Sequence, residues 1–218
     1  MRAVEVKNLS VAYEGRGIIK DFSFAVEAGE AVLLQGPSGC GKSTLLHAVC
    51  GLIPGSIQAD ISGEVLIFGR NVVELSLAGR AREIGIVFQN PENQLFCGSV
   101  EDEIAFGLEN LCLPREEIGR CIDKVLHLAG LERYRYACPK ELSGGQKQLV
   151  VLAAVLSPDP KILLLDEALS QLDDQSREAI KRQLLALKRE GRTMIMTDHD
   201  GELESVSDRI VDLGAELL

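Results

Sequence analysis

No stretch of this sequence is long and apolar enough to cross a bilayer. The longest apolar runs, residues 149–156 and 162–165, fall far short of the roughly 20 that a spanning helix needs. An excess of positive charge is also missing: 23 lysines and arginines face 33 acids, a formal balance of −10. A nucleic-acid binder wants a basic surface, so no nucleic-acid partner is expected. The six cysteines, at positions 40, 50, 97, 112, 121 and 138, form no CxxC pair, and no histidine follows at zinc-site spacing. The opening MRAVEVKNLS has no apolar run of signal-peptide length. These absences disfavour a disulfide scaffold, a zinc finger and an integral membrane protein, and lead us to expect reduced thiols in a cytosolic protein. There is no internal repeat, low-complexity tract or separating linker, so residues 1–218 are expected to form one unit.

What is present reads as an α/β protein. Short β-branched and aromatic runs alternate with helical patterns. Residues 22–26 alternate faces as a half-buried strand does, and 31–35, 63–69 and 84–88 predict further strands. Residues 162–165 and 193–197 are uniformly apolar, the form of strands buried on both faces of a parallel sheet. Pro114 with Glu116 and Glu117 marks a helix start, Ile118, Ile122, Val125 and Ala129 share its face, and Gly130 is a C-cap. Two more helices are predicted, over 146–156 and over 175–189, the latter with Ile180, Leu184 and Leu187 on one face. The expected organisation is a core of about 1–89 and 160–218, with a mainly helical insert of about 90–159.

Three segments carry chemistry. The first is Gly36-Pro37-Ser38-Gly39-Cys40-Gly41-Lys42-Ser43, a GxxxxGK[ST] pattern between an apolar strand and a helix. Its glycines let backbone N–H groups close around phosphate oxygens; Lys42 adds a charge near the β- and γ-phosphates and the Ser43 hydroxyl can ligate Mg²⁺. Thr44 adjoins this cofactor-binding set. Cys40 has two readings, a reactive thiol among the loop N–H groups or a small residue buried under the loop. The second segment ends a buried strand with Asp166, placed to orient the Mg²⁺ shell, and Glu167, placed to polarise a water attacking the γ-phosphate. The third, Leu142-Ser143-Gly144-Gly145-Gln146, exposes backbone N–H groups at a helix start, an anion site by dipole and geometry. A plain Ser143 N-cap, worth about 1 kcal/mol, would also explain it.

The LSGGQ of residues 142–146 resembles the signature of ATP-binding cassette (ABC) ATPases, and the resemblance covers essentially the whole chain. It implies a P-loop NTPase fold, a RecA-like core with an antiparallel β subdomain and an inserted helical subdomain. It implies ATP and Mg²⁺ as cofactors, and a second ABC protomer whose γ-phosphate meets Ser143, Gly144, Gly145 and Gln146. By the same resemblance Tyr13 stacks on adenine and Gln89 senses Mg²⁺ and the attacking water. Asp173, in the segment 170–173, crosses the dimer interface, and His199 contacts the γ-phosphate. Catalysis then falls to Glu167, His199, Gln89 and Lys42, and metal binding to Ser43, Gln89 and Asp166.

Residues 89–96 (QNPENQLF) and 100–107 (VEDEIAFG) are similar to ATPases of energy-coupling-factor (ECF) and cobalt-type importers, which bring vitamins and metal ions into prokaryotic cells. That implies integral membrane partners and a peripheral place on the cytoplasmic face of the membrane. Many ECF ATPases carry a further C-terminal dimerisation segment; this sequence stops at Leu218, which puts dimerisation by that segment in doubt and leaves open one half of a tandem arrangement. Leu95, Phe96 and Cys97 form an apolar run rimmed by Glu92, Glu101 and Asp102, read as the docking surface for a membrane subunit. A soluble ABC ATPase acting on ribosomes or DNA and a non-catalytic ATP-binding partner remain as rivals. The −10 charge weighs against the first, and intact Lys42, Glu167, His199 and LSGGQ against the second.

Overall fold

A computed structural model describes residues 1–216 apart from Gln171 and Asp200. Of the positions singled out above, one within the segment 170–173 and the terminal Leu218 lie outside the described residues. Strands β1 (Arg2–Tyr13) and β2 (Arg16–Glu27) form a hairpin turned by Glu14 and Gly15. Both have positive φ (50° and 78°), the geometry of a two-residue turn whose twist suits the flanking strands. Then come β3 (Ala31–Gln35), α1 (Lys42–Val49), α2 (Leu52–Gly55), β4 (Asp60–Ile67) and β5 (Arg70–Asn71). The middle holds α3 (Leu77–Glu83), β6 (Ile84–Val87), α4 (Val100–Asn110), α5 (Arg115–Ala129) and α6 (Gly144–Leu156). The chain continues through β7 (Ile162–Asp166), α7 (Asp174–Arg189), β8 (Thr193–Thr197), β9 (Arg209–Asp212) and α8 (Leu213–Glu216).

Two sheets result. One is antiparallel in the order β2-β1-β4-β5; the other is parallel in the order β6-β7-β8-β3-β9. Because side chains alternate along a strand, β3 sends Val32 and Leu34 into one apolar cluster and Ala31 and Leu33 into another. The first cluster joins the antiparallel sheet and α1; the second takes Ile180, Leu184 and Leu187 of α7. A third cluster is built from Val100 and Ile104 of α4 and Ile122, Val125 and Leu126 of α5. Helix α6 serves two clusters, giving Val151 and Leu152 to the second and Val150 and Ala153 to the third. That explains its nearly unbroken apolar sequence, and it ties the α4–α5 pair to the parallel sheet.

The expected strand at 63–69 is displaced. It runs Asp60–Ile67 because Ala12 pairs with Asp60, and because Phe68 and Gly69 take positive φ (47° and 78°) in the following turn. Helix α6 starts two residues before the expected 146, since Ser143 caps it, and α7 starts at Asp174, one before the expected 175. The carboxyl ends of β3, β7 and β8 lie side by side, with Leu34 and Asp166 both in register with Thr197. Loops leaving those three ends therefore meet at one edge of the sheet, where ligands of open α/β sheets bind.

Candidate nucleotide site

The loop after β3 reaches α1 through Gly41, whose φ of 107° a side chain would strain and whose added Cβ would crowd Ile18 and Ile19 at 3.3 Å. Lys42 opens α1 and is only 4% exposed. A buried ammonium must be hydrogen-bonded, and Lys42 Nζ donates to Gly36 O at 2.8 Å and to Pro37 O at 3.3 Å. The loop is thus curled around its own lysine. Beside it, Ser43 Oγ donates to Asp166 Oδ1 at 3.0 Å. Thr197 Oγ1 lies 2.9 Å from the same carboxylate oxygen and 2.9 Å from Glu167 N, which donates to it.

Glu167 has a left-handed φ of 49°, a conformation costing a non-glycine residue of order 1–3 kcal/mol. The Thr197 bond to its backbone and the His199 contact to its side chain help to hold it there. His199 Nε2 lies 2.7 Å from Glu167 Oε1. One edge of the sheet therefore presents a lysine, a hydroxyl, a buried carboxylate and a second, more accessible carboxylate gripped by an imidazole. Behind them, burial holds the His47 imidazole below its usual range despite the pull of Asp166.

The 142–146 segment is built differently. Ser143 Oγ accepts from Gln146 N at 3.3 Å while Gln146 Oε1 accepts from Ser143 N at 3.0 Å, a reciprocal capping box. Gln146 Nε2 also donates to Tyr134 Oη at 2.7 Å, so this side chain is committed to the cap. The two glycines do separate jobs. A Cβ on Gly145 would lie 1.9 Å from Ser176 Oγ, so only glycine lets α6 approach α7; nothing stands within 4 Å of a Cβ on Gly144. Asp173 caps α7, accepting from Ser176 N at 2.9 Å and from Ser176 Oγ at 2.8 Å, and these bonds hold its carboxyl below the usual range.

A family profile described as ABC transporter matches residues 19–170. The chain belongs to the ABC transporter family. It is 42% identical over 217 residues to a putative ABC transporter ATP-binding protein of Methanosarcina acetivorans, covering 95% of this chain and 33% of that protein. It is 40% identical to the energy-coupling factor transporter ATP-binding protein EcfA1 of Oenococcus oeni, covering 97% of this chain and 76% of that one. The cassette thus spans about a third of the Methanosarcina relative and about three quarters of the Oenococcus one. Among solved structures it superposes on cbiO1 from Clostridium perfringens, part of the ABC transporter complex cbiONQ, with a TM-score of 0.84 and 32% identity. That match covers 98% of this chain and 86% of cbiO1. The ATP-binding cassette MJ0796, in a dimeric post-hydrolysis state with ADP and Pi, gives 0.84 at 29% identity, covering 97% and 95%. The fold is that of a P-loop NTPase.

The cassette brings Lys42, Ser43, Asp166, Glu167 and His199 to one sheet edge. Gln89 follows β6, and its Nε2 lies 3.4 Å from Ser170 Oγ. Tyr13 is half-buried at the hairpin end of β1, against the first apolar cluster. Among the described residues no hydrogen bond joins 143–146 to the phosphate loop; that segment lies against α7 instead. Cys40 is half-buried and packs on the first apolar cluster, and a Cβ on Gly36 would lie 2.9 Å from its Sγ.

Thr197 was not singled out from sequence. The signal was a hydroxyl at the carboxyl end of a buried strand, adjacent in register to Asp166. For the signature glycines, Gly145→Ala should lower the melting temperature by several degrees, on the order of the 1–3 kcal/mol that overpacking costs, while Gly144→Ala should leave it near wild type. Calorimetry of the two variants checks this; equal effects would contradict the separate roles.

Proposed function

We propose that the cassette is the ATP-hydrolysing subunit of an ABC importer of the ECF type, working at the cytoplasmic face of the membrane with a second cassette and integral membrane subunits. The observation that carries the reading is the Lys42–Ser43–Asp166–Glu167–His199 constellation at one sheet edge. The donor set fits magnesium. Ser43, Asp166 and the Gln89 amide offer hard oxygens, and among the described residues no group of three His, Cys, Asp or Glu side chains gathers to hold a metal alone. That suits an ion which would be held by a few protein oxygens together with the phosphates. When bound, Mg²⁺ neutralises charge on the β- and γ-phosphates.

The chain's own residues do the rest. Lys42 exchanges its loop carbonyls for phosphate oxygens, and Glu167 takes the proton of the attacking water. His199 orients Glu167 and meets the γ-phosphate, and Gln89 reports occupancy to the rest of the chain. Tyr13 supports the adenine, with the backbone of 36–41, Ser43 and Thr44 around the phosphates. Ser143, Gly144 and Gly145, with Asp173 near by, complete the site of the opposite protomer. Gln146 belongs to the same set and also holds that helix start. Catalysis by such a site is positioning and electrostatics. We read residues 90–159 as the insert that carries the signature.

Mg-ATP turnover by the purified chain, abolished by chelation and absent in Lys42→Ala, tests the reading; no turnover with its membrane partners present would end it. The relatives named EcfA1 and cbiO1 support the ECF assignment. For membrane attachment, the 95–97 run divides. Leu95 is partly buried between the second and third clusters, while Phe96 is 63% exposed and meets Phe106 edge-to-face at 4.8 Å. The acidic rim is largely spent: Glu92 pairs with Lys147 at 2.7 Å and Glu101 with Arg135 at 2.8 Å. The surface offered to a membrane subunit is thus an aromatic pair rather than an acidic cup. Burying Phe96 would contribute roughly 1.5–3 kcal/mol. Phe96→Asp should keep the fold and ATP binding but shift the chain from membranes to the supernatant on fractionation; a variant still membrane-bound and transporting removes Phe96 from that role.

A further inference from the structure

Phe88, the residue before Gln89, is gripped at both backbone polar groups by glutamines to which nothing above gives a role. Its N–H donates to Gln94 Oε1 at 2.8 Å, and Gln94 Nε2 returns to Ile86 O at 3.0 Å. This side-chain amide pairs with the end of β6 as a neighbouring strand would. The Phe88 carbonyl is met from the other side by Gln148 Nε2, at a long 3.4 Å. Gln148 is 1% exposed, and its Oε1 is buried without a hydrogen-bond partner among the described residues. An orphaned buried amide oxygen costs about 1–3 kcal/mol, a price a merely packed position would avoid with leucine or methionine. Gln148 also lines a cleft of about 330 Å³ together with Gln89, Asn90, Gly144 and Leu172.

The placement matters because Gln148 stands on α6, four residues after Gly144, on the helix whose start bears the signature. Gln94 stands in the turn leading to α4. Both anchors therefore belong to the α4–α6 region, while Phe88 and Gln89 directly follow β6, a strand of the parallel sheet. The Phe88 ring also lies edge-on to His47 of α1 at 5.8 Å, so the node touches the helix that carries Lys42 and Ser43. We propose that Gln148, with Gln94, is a positioning residue that sets Gln89 through the Phe88 peptide, linking the signature of one site to the hydrolysis chemistry of the other. The inference rests on the ATPase reading above.

Gln148→Met keeps a straight side chain of similar size without the amide, and Gln148→Leu is a second variant should the first fail to fold. The expected result is a kcat about tenfold lower, with KM for ATP and nucleotide affinity changed less than about twofold and the melting temperature near wild type. In a Gln89→Ala background the same substitution should cause no further loss, since Gln148 acts through Gln89. Full additivity in that background, an unchanged kcat, or a loss that merely follows the melting temperature each overturns the inference. A wild-type chain without turnover would remove the ATPase reading and the inference with it. A wild-type chain that turns over beside an unaffected Gln148→Met removes the inference alone.

Discussion

Glu167→Gln should slow ATP hydrolysis by at least about a hundredfold while leaving ATP affinity near wild type. The substitution is almost isosteric, so the left-handed backbone at Glu167 and its N–H bond to Thr197 Oγ1, 2.9 Å, are retained. The amide oxygen can still accept from His199, which now stands 2.7 Å from the carboxylate. What glutamine cannot do is take a proton from water. Asp166 cannot replace it: that carboxylate is buried and already accepts from Ser43 and Thr197. The variant should therefore form the ATP-bound dimer and stay there, which size exclusion with Mg-ATP would show as a shift absent without nucleotide. Turnover within a few-fold of wild type would take Glu167 out of the base role and leave His199 or a solvent path to be tested in its place.

Much of this site was legible in the chain before any coordinates, because the residues that make it lie at the ends of uniformly apolar strands. Short, mostly apolar runs such as 162–165 and 193–197 read as strands buried on both faces, and their carboxyl ends come together in the parallel sheet. The amphipathic faces of α5 and α7 were readable for a like reason: Ile122 and Val125, and Ile180, Leu184 and Leu187, recur at helical spacing and are buried as that spacing demands. Strand β1 escaped notice because its pairing is broken by register shifts between Val6 and Leu9 and between Leu9 and Val11, so its apolar residues lose strict alternation. Gln94 and Gln148 escaped for a different reason. A glutamine that bonds a distant peptide carries no local pattern, and only the fold shows that two of them converge on Phe88. Gln146 shows the converse. Its motif pointed to nucleotide, and the fold adds a structural job that the motif did not announce, a capping box and a bond to the Tyr134 hydroxyl.

Ser143→Arg should abolish turnover without unfolding the chain. The serine contributes a helix cap worth about 1 kcal/mol, and α6 is otherwise secured by Val150, Val151 and Leu152 in two apolar clusters. Ser143 and Gly144 are exposed, and no atom stands within 4 Å of a Cβ on Gly144, so the surface is open to an approaching protomer. An arginine there would fill that space. If the signature serves the opposite site, as proposed, nucleotide binding to the isolated variant should stay within about twofold of wild type. The shared-site mechanism makes a sharper demand on mixtures. Lys42→Ala disables a protomer's own phosphate loop, and Ser143→Arg disables what it lends to its partner. Each variant alone should be inactive, yet a mixed dimer retains one site with both parts intact. In an equal mixture half of the dimers are mixed and half of their sites are whole, so turnover should return to about a quarter of wild type. No recovery, in a mixture shown by cross-linking to contain mixed dimers, would mean that the 142–146 segment does not complete a site across the interface between two copies of this chain.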